Sequence, residues 1–252
     1  MARRRFGLVR AFVGLAAALC MIPFWLMTRS RSAEARTHER AFFTRIAKSF
    51  GVSIETRGPI SLEPGTLFIM NHISWADIPV MMAILDADFV AKSDMLGWPV
   101  IGALARRFDP VFVARAERHR SHHQVDAIRD RLISGRSVIL CPEGTTSDGS
   151  AILPFRTSLF AAAGAARSIQ PVVLRYLTPE GDALSPKWQR EVAWIDDDDL
   201  LSGAVRVARE ETLTRVAFLA PILPDGGDRK QLANALHQQM VAAYAAAPNR
   251  PR

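Results

Sequence analysis

From residue 59 onward, short apolar runs alternate with stretches of helical periodicity, and this alternation restricts the possible folds more than any other feature of the chain. The runs are Thr66–Met70, Asp88–Lys92, Val111–Ala114, Ser137–Cys141, Gln170–Tyr176, Glu191–Ile195 and Thr214–Leu219. Each has strand length, and several carry no polar face. Helical patterns fall near Ala76–Leu85, Trp98–Arg106, Ser121–Ile133, Thr157–Arg167 and Lys230–Ala247. Strands without a polar face need cover on both sides. The pattern therefore predicts an α/β fold, a mostly parallel sheet flanked by helices on both faces. Ligands of such sheets collect at the carboxyl ends of the strands. His72 and Glu143 each follow a predicted strand closely, which places both on that rim.

The N-terminal part has a different character, and we divide the chain into residues 1–50 and a catalytic-size domain of 51–252. Eight arginines against Glu34 and Glu39 put +6 of the net +7 charge in the first 40 residues. A nucleic-acid-binding domain spreads its positive charge over a folded face. Here the charge brackets an apolar segment, Ala11 to Met27, which suits anionic lipid headgroups. That segment is near the short end of the roughly 17–25 residues that cross a bilayer, and Pro23 interrupts it. A cleaved signal, a single span and a shallow or re-entrant anchor are the three readings. From Thr37 to Phe50, Phe42, Phe43, Ile46, Ala47 and Phe50 recur at helical spacing, with Arg40, Arg45 and Lys48 elsewhere on the wheel. This is either a basic amphipathic helix in the headgroup plane or a surface helix packing its stripe on the domain. The two cysteines, Cys20 and Cys141, imply no disulfide framework and read as small buried hydrophobes. The run Asp196–Asp199 has no clustered His or Cys and reads as a solvated turn capping a helix.

His72 has Asp77 five positions on, and of the six histidines only His72 has an aspartate at that offset. A helix turns about every 3.6 residues, so residues five apart on one helix point away from each other. The two side chains meet only if His72 precedes the helix. Ser74 with Asp77 matches the capping pattern [ST]-x-x-[DE], which puts His72 in the loop and Asp77 in the first turn. Asp77 would then hold one imidazole nitrogen and leave the other open as a general base. A second motif runs Cys141-Pro142-Glu143-Gly144-Thr145-Thr146-Ser147-Asp148-Gly149. It reads as a tight loop whose backbone amides could bind an anion or oxyanion, or as a plain polar turn. No G-x-S-x-G elbow is present, which disfavours a serine hydrolase.

Together the two motifs resemble the glycerolipid acyltransferase family, which includes 1-acyl-glycerol-3-phosphate acyltransferase. Phe89-Val90-Ala91-Lys92, Phe112-Val113-Ala114-Arg115, Leu153-Pro154-Phe155-Arg156 and Gln170-Pro171-Val172-Val173-Leu174 are similar to further family segments, in order over roughly residues 60–180. The resemblance implies a membrane-associated enzyme at the cytoplasmic face of a bacterial-type inner membrane. It would move an acyl group from acyl carrier protein or coenzyme A to the free hydroxyl of a lyso-lipid, with no metal or redox cofactor and no nucleic acid. His72 would be the base and Asp77 its orienting partner. Glu143, Gly144, Thr145 and Thr146 would shape the acceptor side, with Lys92, Arg115 and Arg156 for anionic groups.

One position departs from the pattern. Phosphatidic-acid-forming members read Glu-Gly-Thr-Arg in the third block, and here Thr146 replaces that arginine. Threonine cannot supply a bidentate phosphate ligand. The loop resembles the branch acting on lyso-ornithine lipid, whose head group lacks phosphate. A phosphatidic-acid-forming enzyme that uses Arg115 or Arg156 instead is the alternative, and a membrane lipid-binding protein without catalysis is a weaker one.

Overall fold

Strand β2 (Thr66–Met70) is buried along its whole length, and the sheet is built around it. The computed structural model describes residues 2–22, 32–92, 111–113, 121–195, 198–224 and 226–246. With β1 (Val52–Arg57), β3 (Asp88–Lys92), β4 (Val111–Val113), β5 (Val138–Leu140), β6 (Ser168–Leu177) and β7 (Thr212–Phe218), it forms a seven-stranded sheet in the order β1-β7-β6-β2-β5-β3-β4. Every neighbouring pair is parallel except β6 and β7. The helices are α1 (Ala2–Leu19), α2 (Ala33–Ser49), α3 (Asp77–Ile84), α4 (Ser121–Ile133), α5 (Pro186–Val192), α6 (Leu200–Ala208) and α7 (Arg229–Ala246), with 3₁₀ turns over Thr157–Ala165.

Successive side chains of a strand point to opposite faces, and β2 divides its residues accordingly. Phe68 and Met70 join a core with Ala47 of α2, Val80 and Met81 of α3 and Val207 of α6. Leu67 and Ile69 join another with Ile128 and Leu132 of α4 and Leu236 and Met240 of α7. Both faces are thus covered by helices, as the apolar runs predict. The strand bounds Thr66–Met70 and Asp88–Lys92 agree with expectation. Expected Val111–Ala114 forms as Val111–Val113, Ala114 lies outside the described residues, and so does the helix expected at Trp98–Arg106.

Two elements differ from the sequence reading. The strand expected at Glu191–Ile195 is instead the end of helix α5 and the turn after it. Ser185 caps that helix by accepting from Trp188 N–H at 3.3 Å, and Pro186 occupies its first turn, a start signal that outweighs the short apolar run. Strand β1 was not expected, because it is an edge strand whose Ser53, Glu55 and Arg57 leave only alternate residues apolar. Of the acidic run, Asp199 behaves as a helix cap, accepting from Ser202 N–H at 2.9 Å to open α6.

The stripe on α2 is used inside the protein. Phe42 and Phe43 pack with Ala18 and Met82, and Phe50 meets the Trp75 ring edge-on at 4.9 Å. The surface-helix reading therefore replaces the headgroup-plane reading for this segment. Helix α1 docks through its small and polar face. Gly7 lies against the Ala208 carbonyl and Gly14 against Ser49, approaches that a side chain would block. Arg10 reaches the carbonyls of Ser49 and Ala208, each at 3.3 Å, and ion-pairs with Glu211. The opposite face leaves Phe6, Val9, Phe12 and Val13 exposed. Among the described residues no helix is long and apolar enough to cross a membrane. Helix α1 ends at Leu19, and residues 23–31 lie outside the described residues.

Candidate active site

Where β2 leaves the sheet, Asn71 fastens it to β6. Its side-chain amide donates to Leu174 O at 2.9 Å and its oxygen accepts from Leu174 N–H at 2.8 Å. Asn71 is buried, and these bonds continue the β2–β6 ladder through a side chain, which fixes where the next residue emerges. That residue is His72. Its Nδ1 lies 2.7 Å from Asp77 Oδ2, and its side chain is 17% exposed while that of Asp77 is fully buried. The expected pair is formed. Nδ1 faces the carboxylate, so Nε2 is the nitrogen left for a substrate proton. Phe89 of β3 flanks the imidazole, ring centres 6.5 Å apart.

The local turn differs from the capping box expected of Ser74 and Asp77. Asp77 Oδ2 reaches back to Ser74 N–H at 3.0 Å and also takes Ile73 N–H at 2.7 Å. The Ser74 hydroxyl, however, accepts from Ala76 N–H at 3.3 Å rather than from Asp77 N–H. Only half of the box forms, and α3 begins at Asp77 with Ala76 at its cap position. The carboxylate of the first helical residue thus folds back to hold the loop that carries the histidine, and no side chain caps the helix.

Glu143 holds the same loop from the other side. One oxygen accepts from His72 N–H at 3.0 Å and the other from Leu153 N–H at 3.2 Å. Glu143 is buried, which pushes its carboxyl up to about 7 against the two backbone amides, with the charge of Asp77 adding to the rise. Both oxygens are thus engaged by backbone, and Glu143 is a clamp behind the rim rather than a ligand group on it. Ser147 N–H donates to His72 O at 2.8 Å, so the histidine's carbonyl is held as well.

The Gly144–Gly149 loop is less open to anions than its composition suggests. Gly144 N–H donates to Cys141 O at 3.1 Å and Gly149 N–H to Ser147 Oγ at 3.2 Å. The Thr146 hydroxyl donates to Trp194 O, and Trp194 N–H in turn binds Ile73 O at 2.9 Å. The Thr146 side chain therefore faces the α5–α6 connection. Thr145 is exposed. Gly144 has φ +69°, and a Cβ there would lie 2.7 Å from Arg156 Nε, so the arginine side chain runs across the glycine. Arg156 is exposed, and its N–H binds Pro142 O at 2.8 Å. Lys92 closes β3, on the same carboxyl rim as β2 and β5, while Arg115 lies outside the described residues. Burial, with the charges of Asp77 and Glu143, pushes the Cys141 thiol well above the ordinary range, which works against the thiolate a nucleophile needs. Among the described residues no three His, Cys, Asp or Glu side chains cluster as metal ligands.

Two further groups touch the site without a sequence signal pointing to them. One is Asn71. The other is Tyr176 of β6, whose hydroxyl donates to Asp77 Oδ1 at 2.7 Å. Beside Tyr176 and Ile73 lies a cavity of about 150 Å³, also lined by Arg175, Gln189 and Tyr244.

The family model described as Acyltransferase matches residues 51–175. A lyso-ornithine lipid O-acyltransferase of Brucella abortus is 35% identical over 251 residues, 94% of each chain. One of Pseudomonas aeruginosa is 31% identical over 99% of this chain and 95% of that one. A 1-acyl-sn-glycerol-3-phosphate acyltransferase of Neisseria meningitidis is 30% identical over 65% of this chain and 68% of its own. The crystal structure of the 1-acyl-sn-glycerophosphate (LPA) acyltransferase PlsC from Thermotoga maritima superposes with a TM-score of 0.69, covering 98% of this chain and 100% of that one. At 17% identity, this last likeness speaks for the fold alone.

Proposed function

The chain belongs to the acyltransferase family, and from that membership we propose that it esterifies the free hydroxyl of a lyso-lipid, lyso-ornithine lipid, using an acyl thioester. The observation that carries this reading is the His72–Asp77 pair, 2.7 Å apart at the carboxyl rim, with the second imidazole nitrogen bound to no group among the described residues. An alcohol is far too weak an acid for prior ionisation by an imidazole of pKa about 6.5, so proton transfer accompanies attack. The acceptor oxygen bonds to the thioester carbonyl as His72 Nε2 takes its proton. Asp77 stabilises the imidazolium. The tetrahedral adduct then collapses by breaking the C–S bond, and the imidazolium returns its proton to the departing thiolate. No acyl-enzyme forms in this scheme.

The choice of acceptor rests on Thr146. Its hydroxyl is bound to Trp194 O, so this position offers no cation to a phosphate. The two relatives matched over nearly the whole chain carry the name lyso-ornithine lipid O-acyltransferase. Arg156, whose side chain lies over Gly144, would meet an acceptor carboxylate in this reading. The exposed Phe6, Val9, Phe12 and Val13 of α1, beside Arg3 to Arg5 in sequence, suit a helix lying in the headgroup region of the cytoplasmic membrane face. The donor is acyl carrier protein or coenzyme A. The test is a competition between lyso-ornithine lipid and lysophosphatidic acid presented to the purified protein with each thioester. Faster consumption of the ornithine lipid is expected, and the reverse preference would reject the role given to Thr146.

A further inference from the structure

Asp77 is fully buried, and among the described residues the only basic group paired with it is His72. Its charge is held by four donors. His72 Nδ1, Ile73 N–H and Ser74 N–H meet Oδ2, and all three belong to the loop that carries the histidine. The fourth, the Tyr176 hydroxyl on Oδ1, comes from β6, 99 residues further along the chain. Tyr176 pairs in register with Thr214 of β7 and is 6% exposed, packed in the same core as Phe68 and Met70. Burial and the Asp77 charge push its hydroxyl well above the ordinary range, so it stays protonated and acts as a donor.

We propose that Tyr176 is a positioning residue for acyl transfer, acting through Asp77 by fixing Oδ1 so that Oδ2 stays aligned with His72 Nδ1. The proposal rests on the general-base reading of His72. Two effects follow from the hydrogen bond. It stops the carboxylate turning about its terminal torsion, which is otherwise broad. It also restrains the basicity of Asp77, since a carboxylate with more donors binds a proton, or an imidazolium, less tightly. A base that must release its proton to a thiolate in each cycle needs this second restraint as much as the first. The ionisable groups facing Asp77 are His72 and Tyr176, with Glu143 and Cys141 close enough for their charges to couple to its neighbourhood. Replacing the tyrosine hydroxyl leaves the other three in place.

The test compares the full-length protein with Tyr176→Phe in three measurements: melting temperature, steady-state kinetics, and the titration of His72 by NMR with ring-labelled histidine. The variant is expected to lose about 10- to 100-fold in kcat, the range for losing one hydrogen bond to a charged group. Its KM for the acceptor should stay unchanged. The NMR titration of His72 and the acid limb of the rate profile should both move to higher pH. A tyrosine whose hydroxyl only stabilises the fold would lower the melting temperature on replacement and leave both kcat and the His72 titration where they were, and that result overturns the proposal. If Tyr176→Phe fails to fold, 3-fluorotyrosine at position 176 keeps the ring and strengthens the donor. His72 should then titrate lower, and an unmoved titration is again fatal. Should the unaltered protein release no thiol from any thioester with any lyso-lipid, the acyl-transfer reading fails. The NMR titration still decides the Tyr176–Asp77–His72 coupling, because it needs no turnover.

Discussion

Replacing Glu143 by glutamine removes a carboxylate from a position where folding has made its charge costly. The group moves from an unfolded value of 4.5 to about 7 in the native protein. That rise corresponds to roughly 3 kcal/mol between the charged and neutral forms. The direction of the effect follows from the raised native value. The folded state binds the proton more tightly than the unfolded state, so Glu143 contributes most to stability below pH 4.5. That contribution is lost as pH rises through about 7, and above that the full cost of burying the charge is present. Glutamine carries none of this dependence. It keeps a carbonyl oxygen for one of the two backbone amides and turns an NH₂ toward the other, a fixed cost of about 1–3 kcal/mol that is the same at every pH. Urea unfolding of both proteins between pH 4.5 and 8, plotted as the difference in free energy, should therefore slope. The unaltered protein should lose roughly 3 kcal/mol relative to Glu143→Gln across that window. A flat difference would refute the claim that burial of the carboxyl, opposed by its two amide bonds, is the origin of the raised value.

The remaining predictions concern the base, the loop and the helix. His72→Ala should abolish acyl transfer while the fold and vesicle binding persist, and Asp77→Asn should lower kcat by roughly 10³- to 10⁴-fold through the wrong tautomer, both read by thiol release. Gly144→Ala adds a Cβ at a left-handed backbone position 2.7 Å from Arg156 Nε. It should cost about 1–2 kcal/mol by thermal melting and raise the KM for the acceptor more than it lowers kcat. Phe6→Glu with Phe12→Glu should cut co-sedimentation with anionic vesicles at least tenfold while sparing activity on detergent-dispersed substrate, because α1 docks through the opposite face.

The centre of the sheet was legible because Leu67–Met70 of β2, Phe89–Ala91 of β3 and Pro171–Leu174 of β6 are apolar runs bounded by polar residues, a pattern that needs no knowledge of neighbours. The His72–Asp77 contact was legible for a related reason, since five residues spanning a loop and a first helical turn allow few geometries. Strand β1 escaped because its alternation is that of a solvated edge, where polar residues stand at every second position. The 191–195 segment misled because a short apolar run has the same composition at a helix end as in a strand. Thr146 was read by type, as a lost phosphate ligand, while its orientation depends on the Trp194 carbonyl 48 residues away. Tyr176 and Asn71 were invisible on the same ground. Each acts on a neighbour across the sheet, and a chain read in one dimension does not say which strands lie side by side.

The amides of His72, Ile73 and Ser74 are all bound to buried carboxylates, the first to Glu143 and the next two to Asp77. A segment that is formally a loop is therefore immobilised like a strand, and its hydrogens should exchange with solvent as slowly as those of the sheet. Such rigidity means that the reorganisation needed to align base and partner is completed during folding, not repeated at each encounter with lipid. Thermal softening of this protein should accordingly reach the exposed Thr145 and Arg156 before it reaches the segment 72–74.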